Sequence, residues 1–155
     1  MPGRESVWDY PRPPRVETDS RHLAVVVGSV VVASTNAGLR LLETSHPPAF
    51  YFPRGDVRME YMRTSPDRTL CEWKGTATHW DIAVGTTLVR RAAWSYERPR
   101  DEYTAIEGHL AFYPGKALCT VDGEAVACQP GDFYGGWITP EIDGPFKGGP
   151  GTRSW

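Results

Sequence analysis

The stretch "ETSHPPAFYFPRGDVR", Glu43 to Arg58, sets a His, a Tyr, two Arg and an Asp among three prolines and three consecutive aromatic residues. A residue before proline avoids the helical region, so His46-Pro47-Pro48 forces an extended path. Side chains alternate along extended backbone, so Tyr51 should face away from Phe50 and Phe52. His46, Tyr51, Arg54 and Asp56 could then line a pocket along a rigid track. Glu43 and Asp56 are candidates for an acid/base pair. The structural alternative is a proline-stiffened corner with its rings in the core and its charges in water.

Two further clusters have chemical potential. "TLCEWKGTATHWDIAV" carries Cys71, Trp73, Lys74 and His79. On a strand, Cys71 and Trp73 share one face and Lys74 points to the other. A reactive thiol needs a nearby cation, which Lys74 or His79 would supply; the alternative is a small buried thiol. "AWSYE" places Trp94 and Tyr96 on one face of a strand, followed by Glu97. With Trp73 or Trp80 they would wall a flat cavity suited to a planar or cationic ligand. An aromatic core seam is the alternative.

These residues need elements to hold them. "HLAVVVGSVVVAST" reads as two apolar strands joined at Gly28-Ser29 by a type II′ turn, with both faces covered. "NAGLRLLE", Asn36 to Glu43, reads as a short helix capped by Asn36. Past the proline-rich corner come strands in "TLCEWKGTATHWDIAV", broken near Gly75, and in "TTLVRRAAWSYE". "RDEYTAIEG" makes one helical turn. "HLAFYPG" and "KALCTVDGEAVAC" are strands, with Asp122-Gly123 a type I′ turn. Short strands at this spacing predict an antiparallel all-β domain. Residues 1–15, with "YPRPPR", form an extended arm that Trp8 and Tyr10 can pin. Residues 131–155 hold seven Gly and three Pro, yet also Phe133, Tyr134, Trp137, Phe146 and Trp155. Disordered tails lack aromatics, so this one should dock, on its own body or on a second subunit. The organisation is one domain over 1–130 with a docking tail over 131–155.

The totals exclude several classes. The 155 residues suit one domain with a real core. A net charge of −2 with scattered arginines argues against nucleic acid or anionic lipid as a partner. No apolar run is long enough to span a membrane, and the start lacks a secretory h-region. The three cysteines, Cys71, Cys119 and Cys128, form no C-x-x-C pair. No zinc site or other cofactor is expected, and reduced thiols fit the cytoplasm. There is no nucleophile elbow, phosphate loop, dinucleotide fingerprint or H-E-x-x-H motif.

The runs "RLLETSHPPAFYFPRGDVRMEYM", "TLCEWKGTATHWDI", "AAWSYERP" and "IEGHLAFYPG" carry a resemblance over about residues 12 to 127. Their order and spacing are similar to a bacterial family catalogued as domain of unknown function 427, sometimes labelled nucleotidyltransferase-like. The C-terminal tail resembles that of actinobacterial members. The resemblance implies a beta-tent architecture, two antiparallel sheets leaning together. Relatives of that architecture pin the sheets with zinc on two C-x-x-C pairs; here packing must do so. The transferase label implies paired metal-binding acids, and Gly28-Ser29 has no D-x-D after it. The family positions kept are Arg40, Glu43, Tyr51, Pro53, Asp56, Lys74, Gly75, Trp94, Tyr96 and Tyr113.

Three functional readings follow. In the first, an aromatic cleft of Tyr51, Trp73, Trp94, Tyr96 and Tyr113 holds a small molecule that Arg40, Glu43, Asp56 and Lys74 orient. In the second, the protein is an enzyme of unassigned reaction, using Lys74 with Glu43 or Asp56. In the third, it is a structural or partner-docking homodimer joined through the tail.

Overall fold

The computed structural model describes residues 4–71, 74–130, 134–148 and 151–152, with only the backbone of Cys71. The chain runs through β1 (Glu5–Ser6), β2 (Arg15–Asp19), β3 (Leu23–Val27), β4 (Val30–Thr35), β5 (Gly38–Leu42) and β6 (Ala49–Phe52). Next come β7 (Met62–Cys71), β8 (Gly75–Val84), β9 (Thr87–Ser95) and β10 (Leu110–Phe112). Last are β11 (Leu118–Val121), β12 (Glu124–Ala125), β13 (Ala127–Cys128), β14 (Trp137–Ile138) and β15 (Ile142–Asp143). Short 3-10 turns at 7–9, 54–56, 59–61 and 101–106 are the helical structure among the described residues. The chain is all-β, as its strand pattern implies.

Two antiparallel sheets form the body. The larger has seven strands in the order β2-β5-β6-β10-β9-β8-β7, and the smaller has four in the order β12-β11-β3-β4. They close on one core. Leu23, Val25, Val32 and Val121 from the smaller sheet meet Phe50, Phe52, Ile82, Leu110 and Phe112 from the larger. The two hairpins read from the sequence turn as their residues require. Gly28 has φ +63 between the Val27–Val30 pair, and the following Ser29 has no positive φ, the type II′ pattern. Asp122 at φ 51 and Gly123 at φ 82 are both left-handed, the type I′ pattern. β3 is covered on both faces except at half-buried Val26, whereas β4 shows Val31 to solvent.

Two local expectations give way. Residues 38–42 form strand β5, where the sequence reads as a helix. Five register pairs to β2 and three to β6 hold this segment extended, and tertiary pairing overrides its weak helix propensity. β7 begins at Met62, well before "TLCEW". It carries Pro66 in an irregularity between Thr64 and Arg68, at the edge of the sheet. Edge strands and bulges are where a sheet tolerates proline.

Arm and tail both pack on the body. β1 pairs with β15 in parallel, Trp8 donates its indole N–H to the Pro145 carbonyl, and Tyr10 donates to Glu5 at 2.6 Å. Trp137 is fully buried, 4.9 Å from the Phe50 ring, and donates its indole N–H to the Phe112 carbonyl at 2.9 Å. Phe133 and Trp155 lie outside the described residues.

Candidate functional site

The corner after β5 sorts its rings by strand parity. Phe50 and Phe52 enter the main core, while Tyr51 joins a second cluster with Leu41, Ala77, Trp94, Tyr96 and Ala111 on the other face of the larger sheet. That face is concave. A hollow of about 270 Å³ opens on it, with Glu43, Tyr51, Lys74, Trp94, Tyr96 and Tyr113 in its lining. These six come from β6, β9 and the segments after β5, β7, β9 and β10, so sheet closure brings them together.

The aromatic wall is tightly built. Trp94 donates its indole N–H to the Tyr51 hydroxyl at 3.1 Å, and its ring meets Tyr113 at 4.6 Å and Tyr51 edge-on at 6.1 Å. Burial pushes the Tyr113 phenol up to about 12, so it stays protonated in neutral solution. Lys74 follows the end of β7 and is only 8% exposed. Its ammonium lies 5.6 Å from the centre of the Tyr96 ring, a cation–π contact. Leu70, 73% exposed, stands at the mouth.

Two histidines complete the lining. The Gln129 side chain decides the state of His46. Its carbonyl oxygen accepts the Gly136 amide at 3.1 Å, so its NH₂ group donates, to the Lys147 carbonyl at 2.8 Å and to His46 Nδ1 at 3.0 Å. His46 Nδ1 therefore accepts, and the neutral ring carries its proton on Nε2. Burial, then Lys147, Lys74 and Arg12, lower its pKa to about 4. Nε2 faces a Glu43 carboxylate oxygen at 3.9 Å. His79 stands across from Trp94 on the β8–β9 pair, with Nε2 2.8 Å from the Thr69 hydroxyl. Its buried Nδ1 has no hydrogen-bond partner among the described residues. Burial, then Arg91, lowers the pKa of this ring too.

Two of the residues expected to line a cleft do not. Arg40 alternates with Leu39 and Leu41 along β5, so it points away from the hollow that Leu41 lines. It is held by Glu5 at 2.9 Å and by Glu17 at 2.5 Å. Burial works against its charge, but those partners outweigh burial and raise its pKa. Asp56 closes the 3-10 turn at 54–56 and accepts the Thr35 hydroxyl at 2.7 Å, tying the corner to β4. Glu43 and Asp56 thus do not meet in this hollow. Arg54 and Glu97 pair with each other at 2.6 Å, and Trp80 points into the main core, donating to the Ser95 hydroxyl. Trp73 and the Cys71 side chain lie outside the described residues. Cys119 is buried among apolar groups, and its thiol pKa is raised. Among the described residues no group of three His, Cys, Asp or Glu side chains is placed to hold a metal ion.

Residues 15–126 match the model of the family described as "Domain of unknown function (DUF427)". The chain belongs to this family. Most of the hollow in this DUF427 member lies within the matched span, but one wall does not. Gln129, Tyr134, Gly135, Gly136 and Lys147 all follow residue 126 and line the same hollow. No curated protein matches the chain. Nothing in the sequence marks Gln129. The Gly135-Gly136 pair before Trp137 is the one cue to a close approach: a Cβ on Gly136 would sit 2.5 Å from the Pro47 carbonyl oxygen. No helix among the described residues is long and apolar enough to cross a membrane.

Proposed function

We propose that this DUF427 chain is a small-molecule-binding protein and that the aromatic hollow is its ligand site. The observation that supports this is convergence. Six residues singled out in sequence, Glu43, Tyr51, Lys74, Trp94, Tyr96 and Tyr113, line one hollow although they are spread over 71 positions. Concave, largely aromatic sites with a few fixed polar groups are where proteins hold small ligands. The volume is small beside the roughly 300–1,000 Å³ common for drug-sized ligands, which favours a compact planar molecule.

The test is a screen of small ring compounds by thermal shift, with hits confirmed on the Trp94 indole N–H resonance. A ligand of the folded state raises the melting temperature by mass action. Trp94→Leu should abolish that rise. A confirmed ligand that binds the variant unchanged removes the hollow as its site.

A second reading, catalysis, draws on the neutral His46 with its Nε2–H facing Glu43 at 3.9 Å, in the same lining as Lys74. Mass spectrometry of a bound compound after prolonged incubation separates the two. Recovery unchanged supports a binder; conversion that is lost in Glu43→Gln supports a catalyst.

A further inference from the structure

Building on the ligand-site reading, we propose that the hollow selects a small planar anion, an aromatic carboxylate, and that Lys74 is its anchor. The argument begins with the ring faces. A cationic ligand would sit over a Tyr or Trp face. Two of these rings already carry the protein's own cations. Lys74 lies over Tyr96 and Lys147 over Tyr134, each at 5.6 Å from the ring centre. A second cation in this space would meet two ammonium groups at close range.

The charges point the same way. Buried charges are normally paired. Lys74 is 92% removed from solvent, yet among the described residues no carboxylate lies within ion-pair distance of Lys74 or Lys147. Glu43 is the one carboxylate in the described lining, against two lysines, and both histidines are held neutral. The lysine field reaches into the site, since both ammonium groups act against protonation of His46. The described lining therefore has an excess positive charge and hydrogen-bond donors, among them His46 Nε2–H. Trp94 and Tyr113 give the apolar remainder a flat wall. A single ring bearing one carboxylate satisfies the anchor, the donors and the wall together.

Benzoate, benzamide and benzylamine have nearly the same shape and differ in charge. Each is titrated into the full chain, read by calorimetry and by the Trp94 indole resonance, with inorganic phosphate as a ring-free anion. Benzoate should bind at least tenfold more tightly than benzamide, with benzylamine and phosphate weaker than both. Lys74→Met should bring benzoate down to the benzamide level while the folded spectrum persists. If that variant does not fold, Lys147→Met should narrow the preference, and added salt should narrow it in the parent chain. Benzylamine or phosphate binding as tightly as benzoate overturns the assignment. So does a benzoate preference that survives loss of the lysine charge. Ring compounds that shift Trp94 with no preference among charges overturn the anion class and leave the binding site standing. No Trp94 shift with any ring overturns both.

Discussion

His46 gives the sharpest test of the site's electrostatics. Its ordinary value is 6.5, and in the folded chain burial, with Lys147, Lys74 and Arg12, holds it at about 4. Between those two values the unfolded chain binds a proton that the folded chain refuses. The stability this group contributes is complete above pH 6.5 and drains away as pH falls toward 4. At pH 5 about 1.5 pH units of that window have been crossed. At about 1.4 kcal/mol per unit, the fold has then lost about 2 kcal/mol through this ring alone. His46→Asn offers Gln129 an acceptor oxygen in place of Nδ1 but cannot titrate. Urea unfolding of both proteins at pH 7.5, 6.0 and 5.0, at fixed ionic strength, isolates the effect. His79 is shifted in the same direction in both chains and cancels in the comparison. The parent should lose about 2 kcal/mol more than the variant between pH 7.5 and pH 5.0. Parallel losses would refute the claim that His46 is held neutral.

Other substitutions separate scaffold from site. Arg40→Gln removes the cation between Glu5 and Glu17 and should cost about 2–3 kcal/mol in urea unfolding, since stranded partners of an inner ion pair are unfavourable. Ligand binding at the hollow should persist in that variant; its loss would contradict the placement of Arg40 on the other face of β5. Gln129→Ala leaves the Gly136 amide and the Lys147 carbonyl without their partner and should cost about 2 kcal/mol or more. Hydrogen exchange at Gly136 should quicken in step, and protection equal to the parent's would count against the clamp. Gly135→Ala would put a Cβ 2.5 Å from the Trp94 ring, so the ring must shift and ligand affinity should fall by tenfold or more. An unchanged affinity would mean the Trp94 wall is not used. Trp137→Ala empties a fully buried indole site between Phe50 and Phe112 and should cost about 3–5 kcal/mol, read as a lower urea midpoint.

Much of the framework is local and was therefore legible in the residues. Two β-branched runs around Gly28-Ser29 can form little else than a hairpin, and Asp122-Gly123 supplies the two left-handed residues that its turn needs. The prolines flanking Phe50, Tyr51 and Phe52 keep that segment extended, and parity alone sends Tyr51 to the opposite face. What tertiary structure decided is non-local. The segment 38–42 became a strand because β2 and β6 are there to pair with it, a partner choice that no window of eight residues contains. Arg40 and Asp56 have the residue types of a site, yet Glu5, Glu17 and Thr35 claim them from distant positions. Gln129 is unremarkable in the sequence, but chain closure sets it against Gly136, Lys147 and His46 at once. Turn chemistry and strand parity act over two to four residues, so a sequence states them. Which side chains share a hollow depends on sheet closure across more than eighty positions, and that only the folded chain determines.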